Sequence, residues 1–240
     1  MLTEAEKNEA IGTDELAKMM DDRAATYNFL ARLYRVEVDE PLLESLRTTR
    51  FPLRTGNKEI NLGYRLMREY LGNAWENAKT ELAVDYVRSF IGHGNTAYSC
   101  AYPYESVYTS ARRLLMQDAR DEVVLIYRSA GKDKASDWTD PEDHIALELE
   151  FESFLCSKAA EALRAGDEDG AFSFVLQQRN FLEDHLISWT PMMLADLDRF
   201  AKTDFYKGLG HLTTGVLQEE RNLLAELLAS QDTLEFEEAC

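Results

Sequence analysis

Acidic side chains are concentrated near the middle of the chain. Residues 137–152 contain seven carboxylates and no lysine or arginine. On a helix through this segment, His144 and Glu148 lie four residues apart on one face, and Glu152 follows one turn later. Carboxylates accept paired hydrogen bonds from arginine, so such a cluster is able to bind guanidinium groups. The same pattern is also typical of a helix with a solvated acidic face, and composition alone favours that simpler interpretation.

The start of this acidic helix has a recognisable pattern. Pro141 occupies a place where helices begin, and Asp140 is a candidate cap. Asp143 then falls in the first turn, near the positive end of the helix dipole. The sequence therefore predicts that these three residues fix the beginning of the helix.

A second constellation lies upstream and is rich in tyrosine. Four tyrosines occur within eleven residues of a linker, which is too apolar for ordinary solvent exposure. These side chains line a groove for an apolar peptide, or they fill the core between two helical halves. The residues leave both alternatives open. The segment comprises Tyr98, Tyr102, Pro103, Tyr104, Glu105, Ser106, Val107 and Tyr108.

Sequence signatures of catalysis are missing. A di-iron bundle needs Glu-x-x-His pairs, and none of the four histidines has glutamate three residues before it. His-Glu-x-x-His, Cys-x-x-Cys, Gly-x-Ser-x-Gly and the phosphate-binding P-loop are also absent. We therefore predict no catalytic residue, no metal and no cofactor. The histidines are His93, His144, His185 and His211, of which His185 is expected to be packed or to cap a helix.

The elements that must position these residues are helical. Apolar residues recur at spacings of three and four, and sustained alternation is missing. Asp39 is a candidate cap before Pro41, and Gly92 and Gly166 are candidate helix stops. The predicted helices are 14–34, one starting at 39–41, 60–74, 82–91, one from about 106 or 111 to 131, 143–165, 168–188, 191–202 and 204–229.

This pattern predicts an all-α fold with one domain of eight to ten helices. The domain spans residues 14–230, between an N-terminal tail and an acidic C-terminal tail at 231–240. Its halves, 14–91 and 105–230, are joined by the linker 92–104. We expect a monomer, although the long linker and the loop 132–140 would permit a domain-swapped dimer.

Overall charge excludes several classes of partner. The chain of 240 residues carries 44 acidic and 26 basic side chains, for a net charge of −18. Such a surface repels phosphate backbones and anionic lipids, so nucleic-acid binding and stable membrane insertion are not expected. Three widely spaced cysteines and the lack of a secretory signal indicate the cytoplasm.

Three segments in this order resemble a known family. They are DYVRSFIGHG with YPYESVY, then DPEDHIALELEF, then FLEDHLISWTP followed by DFYKGLGHLT. Together they are similar to the TorD/DmsD/NarJ family of redox-enzyme maturation chaperones, over residues 20–230. The element Pro141-Glu142-Asp143-His144 is the most specific part. The family usually has glutamate before this proline, where the present chain has Asp140.

The resemblance implies an all-α chaperone that is not an enzyme. Such proteins bind the twin-arginine signal peptide or apoprotein of a molybdopterin oxidoreductase, and prevent export before the molybdenum cofactor is inserted. The implied peptide-binding residues fall into two groups. The arginine-pairing carboxylates would be Asp143, Glu148 and Asp140, with Pro141, His144 and Ser106 beside them; the apolar lining would be Tyr34, Tyr104, Tyr108 and Trp138.

Two other functions stay open at this stage. One keeps the scaffold but serves a molybdoenzyme subunit that is not exported, as the NarJ branch does. The other is a helical metal-dependent hydrolase that uses the acidic cluster with His144.

Overall fold

The computed structural model describes residues 12–52, 54–73, 75–92 and 99–238, with side chains described as far as residue 229. Within these ranges the chain forms ten α-helices and two π-helical segments and contains no β-strand, so the predicted all-α fold class is confirmed. The α-helices are α1 (Thr13–Arg35), α2 (Glu40–Thr48), α3 (Lys58–Gly72), α4 (Ala78–Tyr86), α5 (Glu105–Thr109), α6 (Asp118–Ser129), α7 (Ile145–Ala165), α8 (Glu168–Phe181), α9 (Thr190–Phe200) and α10 (Asp204–Glu238). The π-helical segments are π1 (Val87–Ile91), which continues α4, and π2 (Leu182–Ile187), which continues α8.

Several helix ends follow the sequence closely. The Asp39 carboxylate caps α2 by accepting a hydrogen bond from the Leu42 N–H at 3.0 Å. Gly92 ends π1 with φ of 76°, and Gly166 ends α7 in the left-handed conformation. These positions need glycine because an L side chain crowds the backbone at positive φ.

The scaffold is built from long helices packed side by side. Helix α1 lies along α7, α7 lies along α8, and α3 lies along α10. The α3–α10 contact is very close at Gly63, where an added Cβ would stand 2.6 Å from the Leu212 nitrogen and 2.7 Å from the Gly208 oxygen. Because Gly63 has no side chain, the backbones of α3 and α10 can approach each other this closely.

An aromatic cluster fills the centre of the main core. Phe90 on π1 contacts Tyr34, Tyr86 and Tyr206, with ring centroids 5.1 to 5.7 Å apart. The Tyr86 hydroxyl donates to the Tyr34 carbonyl at 2.9 Å, which ties π1 and α4 to the end of α1. A smaller apolar cluster lies between α6, α7 and α8.

Two predicted helices differ from the structure. The helix expected from about residue 106 to 131 is two helices, since α5 ends at Thr109 and α6 begins at Asp118. Between them Arg113 and Met116 have φ of 52° and 60°, which no continuous helix accepts. Helix α10 also runs beyond residue 229, to Glu238.

The start of α7 is a third correction. Pro141 does not begin the helix, and Asp140 does not cap it. The helix begins at Ile145, with His144 as its N-cap, because residues 143–145 are held in an extended conformation by hydrogen bonds to residues 103–105. Asp143 is therefore outside the first turn.

Some predicted features lie outside the described residues. They include residues 1–11 of the N-terminal tail and residues 93–98 of the linker, with His93 and Tyr98. In the described part of the chain, no helix is both long enough and apolar enough to span a bilayer.

Candidate functional site

The tyrosine-rich segment and the acidic segment meet in a short antiparallel contact, which we call the clip (residues 103–105 with 143–145). The Ile145 N–H donates to the Pro103 carbonyl at 2.9 Å, and the Glu105 N–H donates to the Asp143 carbonyl at 3.0 Å. Tyr104 and His144 form the bridge pair between them. The clip brings the two predicted constellations into one site.

Asp143 reinforces the clip with its side chain. Its Oδ2 accepts a hydrogen bond from the Ser106 N–H at 2.8 Å, at the beginning of α5. Its Oδ1 has no partner, although the residue is fully buried. A buried carboxylate oxygen without a donor is costly, so this side chain is held at the clip at the expense of one unmade hydrogen bond.

His144 connects the clip to α7. Its Nδ1 accepts a hydrogen bond from the Ala146 N–H at 3.0 Å, so the imidazole caps the helix. The ring packs edge-on against Tyr104 and Trp138, with centroids 5.1 and 5.2 Å away. Burial lowers the pKa of His144 to about 4, so the ring is neutral at pH 7. The His144 carbonyl also accepts a hydrogen bond from the Glu148 N–H at 3.2 Å, in the first turn of α7.

Three carboxyl groups come together behind the clip. Glu105 contacts His185, with 3.0 Å between Oε2 and Nδ1, and it lies close enough to Glu148 and Asp143 for their charges to act on it. Glu148 accepts a hydrogen bond from the Trp189 indole N–H at 3.1 Å. Burial raises the pKa of both glutamates, and the nearby charge of Asp143 raises it further.

Glu152 belongs to a separate buried polar group. Neither of its carboxyl oxygens has a hydrogen-bond partner, and burial raises its pKa well above the usual value. Nearby, Arg23 on α1 forms a buried ion pair with Glu220 on α10 at 2.6 Å, and the Tyr27 hydroxyl donates to the same carboxylate at 3.0 Å. The interpretation as a solvated acidic face is therefore wrong for Glu148 and Glu152, which are both fully buried.

Access to solvent divides the predicted peptide-binding residues into two sets. In the first set, every side chain is enclosed, and a partner reaches none of them in this conformation. In the second set, every side chain is partly exposed. The enclosed residues are Tyr34, Ser106, Trp138, Asp143, His144 and Glu148, and the partly exposed residues are Tyr104, Tyr108, Asp140 and Pro141.

The exposed edge of the site combines aromatic and charged groups. The Tyr104 hydroxyl donates to Asp140 at 2.8 Å. The Arg35 guanidinium lies 4.9 Å from the Trp138 ring centroid and donates to Glu150 at 3.1 Å. The Asp140 carboxylate forms no ion pair among the described residues, although Lys134 Nζ donates to the Asp140 backbone carbonyl at 3.0 Å.

Glu142, in the middle of the Pro-x-Asp-His element, is already neutralised. Its carboxylate pairs with Arg120 at 2.6 Å and with Lys134 at 3.2 Å. Although burial opposes it, hydrogen bonding from these cations holds the pKa of Glu142 below its usual value. Glu142 therefore anchors the loop before the clip to α6.

Tyr34 and Tyr108 lie away from the clip. The Tyr34 hydroxyl shares a hydrogen bond with Thr213 of α10 at 2.8 Å, inside the aromatic core. Tyr108 stacks on Trp189 with centroids 5.7 Å apart, and its hydroxyl donates to Asp196 at 3.1 Å. Of the linker tyrosines, Tyr102, Tyr104 and Tyr108 keep a partly exposed face, whereas Tyr34, which the resemblance placed in the apolar lining, is enclosed in the core.

Sequence reasoning missed the contact between Glu105 and His185, since His185 was expected only to be packed or to cap a helix. Glu105 and His185 are 80 positions apart, and no local pattern pairs them. Among the described residues, no group of three or more His, Cys, Asp or Glu side chains is arranged to hold a metal ion.

Comparison with known proteins assigns the family. The sequence profile described as nitrate reductase delta subunit matches residues 57–195, more than half of the chain, and this range includes the clip. The chain belongs to the nitrate reductase delta subunit family. The resemblance seen in the sequence is therefore confirmed.

Two relatives of this family member align with it over most of its length. Chaperone protein TorD from Psychrobacter sp. (strain PRwf-1) is 25% identical over 218 residues, covering 87% of this chain and 94% of that protein. Chaperone protein TorD from Aliivibrio fischeri is 28% identical over 224 residues, covering 88% and 99%. Both are named as chaperones, in agreement with the prediction that this chain is not an enzyme.

Proposed function

We propose that this protein is a cytoplasmic maturation chaperone for a molybdopterin oxidoreductase. It binds the twin-arginine signal peptide or the apoprotein of its client, assists cofactor insertion and prevents premature export. Family membership supports the general role. The observation that carries the finer proposal is the partly exposed Tyr104–Asp140 edge, which offers a carboxylate without a basic partner beside aromatic surface.

The enclosed residues act on this edge by positioning it. Asp143 and His144 hold the clip, and the clip presents Tyr104 next to Asp140. The direct pairing of Asp143 and Glu148 with arginines stays a prediction that requires residues 137–144 to move. A signal peptide supplies two cations followed by apolar residues, which is the chemistry this edge complements.

Calorimetric titration with a twin-arginine leader peptide tests the proposal. The wild type should bind the peptide and lose affinity as salt is raised, since screening over about 8–10 Å weakens charge attraction. Asp140→Asn should weaken binding severalfold because it removes the exposed charge. Glu161→Gln, an exposed charge change on α7, is the matched control and should leave affinity unchanged.

Two further variants examine the positioning role. Asp143→Ala and His144→Ala should both weaken binding because each loosens the clip. Unchanged affinity in both would remove the clip from the binding site. Failure of the wild type to bind any twin-arginine leader would contradict the signal-peptide proposal.

The description of the matched family favours one alternative client. The matched family is described as a nitrate reductase subunit, and in this alternative the client is the apoprotein of a molybdoenzyme subunit that is not exported. Titration with the leaderless apoprotein distinguishes the two: equal affinity with and without the leader supports this alternative.

A further inference from the structure

We propose that α3 and the segment before it form a second interaction surface, which binds a short carboxylate-rich segment of another polypeptide. This surface goes beyond the proposed function and lies in a different part of the chain. We call it the basic surface and define it by five exposed cations, which are Arg50, Arg54, Lys58, Arg65 and Arg68.

The charge of this part of the chain is opposite to that of the whole. Residues 47–68 carry six basic side chains and one acidic side chain, a net charge of +5, whereas the complete chain carries −18. The one acid, Glu59, contacts His211 at 2.7 Å, and the sixth base, Arg47, pairs with Glu44 at 2.8 Å. The other five cations form no ion pair within the described part of the chain, so nothing described there balances their charge.

Three of the cations follow the outer side of α3. The helix packs against α10 through buried residues that include Met67. Lys58 and Arg65 lie on the opposite side of the helix from Met67, and Arg68 follows Arg65 at the i,i+3 spacing. Ten residues at 1.5 Å each separate Lys58 from Arg68, so these charges extend over about 15 Å.

Two contacts hold the preceding segment against the same helix. The Asn61 side chain accepts a hydrogen bond from the Thr55 N–H at 2.7 Å and donates to the Thr55 carbonyl at 3.0 Å. Phe51 stacks on Tyr64 of α3, with ring centroids 5.3 Å apart. The two remaining cations adjoin these anchored residues and therefore lie beside α3; they are Arg50 and Arg54.

A groove on this surface fits an extended acidic segment. Its volume is about 390 Å³, and it is lined by Lys58, Asn61, Leu62 and Arg65. Arginine binds carboxylates through paired hydrogen bonds, and lysine binds them as a compact charge. An extended segment of five residues is about 16 Å long, which matches the spread of the charges along α3.

The surroundings of the basic surface select the class of partner. None of the large apolar side chains described between residues 47 and 73 is exposed, so this surface offers nothing to insert into a bilayer. A nucleic acid or a second copy of this chain would extend onto the surrounding acidic protein and be repelled. A short carboxylate-rich segment meets the cations alone, which is the arrangement that charge complementarity favours.

The test compares two pairs of charge changes. Arg54→Gln with Arg65→Gln removes one cation from the preceding segment and one from α3. Arg128→Gln with Arg179→Gln removes two exposed arginines from α6 and α8 and is the matched control, because it changes the net charge by the same amount. The probe is a fluorescent ten-residue peptide in which glutamate alternates with glycine or serine. Its binding is measured by fluorescence anisotropy, and circular dichroism verifies that both variants are folded.

We expect the Arg54 and Arg65 pair of changes to weaken binding of the acidic peptide about fivefold to tenfold, and the control pair to leave it within about twofold. Binding by the wild type should fall as salt is raised, since screening weakens attraction between exposed charges. A peptide with glutamine in place of every glutamate should bind the wild type and both variants equally poorly.

Several results would overturn the proposal. They are failure of the wild type to bind the acidic peptide, equal binding by the two variants, and equal binding of the glutamine peptide by the wild type. Phosphatidylserine vesicles and a single-stranded oligonucleotide are titrated in parallel, and tighter binding of either, lost in the Arg54 and Arg65 variant, would replace the acidic peptide by a lipid or a nucleic acid. Self-association in sedimentation velocity that the same variant abolishes would make a second copy the occupant. The binding of a twin-arginine leader is measured separately, so each of these results leaves the proposed function standing.

Discussion

The indole nitrogen of Trp189 donates to Oε2 of Glu148 at 3.1 Å, while Oε1 of the same carboxyl group receives no donor. Glu148 is fully buried and lies beside Glu105 and Asp143. A charged carboxylate at this place would be desolvated and repelled by its neighbours. Burial and this repulsion raise the pKa of Glu148 well above its usual value.

Replacing this group by a permanently neutral one should stabilise the protein at neutral pH. The folded state keeps a proton that the unfolded chain releases above pH 4.5, so Glu148 lowers stability as the pH rises above that value. Glu148→Gln keeps an acceptor for Trp189 and should raise the free energy of unfolding by about 1–3 kcal/mol at pH 7. Urea unfolding at pH 7 and pH 4 measures the change. The gain should vanish at pH 4, and an equal effect at both pH values would show that Glu148 does not titrate as stated.

His144 should give the opposite pH dependence. Burial lowers the pKa of His144 from 6.5 to about 4, so the unfolded chain binds a proton that the folded protein excludes between these values. Stability is therefore lost as the pH falls from about 6.5 towards 4. His144→Asn retains a capping side chain but does not titrate. Between about pH 6.5 and pH 4, the free energy of unfolding of the wild type should fall by about 2–3 kcal/mol more than that of this variant, as measured by urea unfolding. Parallel pH profiles would contradict the prediction.

The Arg23–Glu220 pair should be sensitive to the loss of either partner. Both side chains are at least nine-tenths buried, and Arg23 is also the nearest cation to the unpartnered Glu152. Arg23→Leu should lower the free energy of unfolding by about 3–5 kcal/mol, because it leaves a buried carboxylate without its cation. Arg23→Leu with Glu220→Leu should recover much of that loss. Chemical unfolding measures both. Arg47→Leu is the control, since its partner Glu44 is exposed, and a larger loss in the control would contradict the argument.

Gly63 should tolerate no side chain. A Cβ at this residue would lie within 3 Å of backbone atoms of Leu212 and Gly208, which cannot rotate away. Gly63→Ala should therefore lower the free energy of unfolding by about 2 kcal/mol or more by forcing α3 and α10 apart. Gly72→Ala, at the end of the same helix with open space around it, should be neutral or slightly stabilising. Thermal unfolding of the two variants makes the comparison, and similar losses would indicate that helix propensity alone matters.

Local signals in the sequence account for most helix positions. The cap at Asp39 and the stop at Gly166 are single-residue requirements, and both were predicted from residue type. The break between α5 and α6 was missed because its cause is left-handed backbone at Arg113 and Met116, residue types that rarely adopt it. No composition rule marks such a position.

The sequence predicted which residues belong to the candidate site better than it predicted how those residues are arranged. Pro141 carried a strong helix-start signal, yet the backbone hydrogen bonds of the clip determine where α7 begins. The enclosure of Glu148 depends on Trp189 and Glu105, which are distant in sequence. A pattern of acidic residues gives the same signal for a solvated face and for a buried pair of carboxyl groups, so burial was not predictable.

The clip also allows the transient opening of this site to be measured by hydrogen exchange. The amide hydrogens of Glu105 and Ile145 are donors in an isolated extended pairing, and their acceptors belong to the other segment. Their deuterium uptake therefore reports the separation of these two segments rather than the fraying of a helix. Most other backbone hydrogen bonds of the described residues are within helices. The exchange of these two amide hydrogens therefore shows whether Asp143 and His144 become exposed to water.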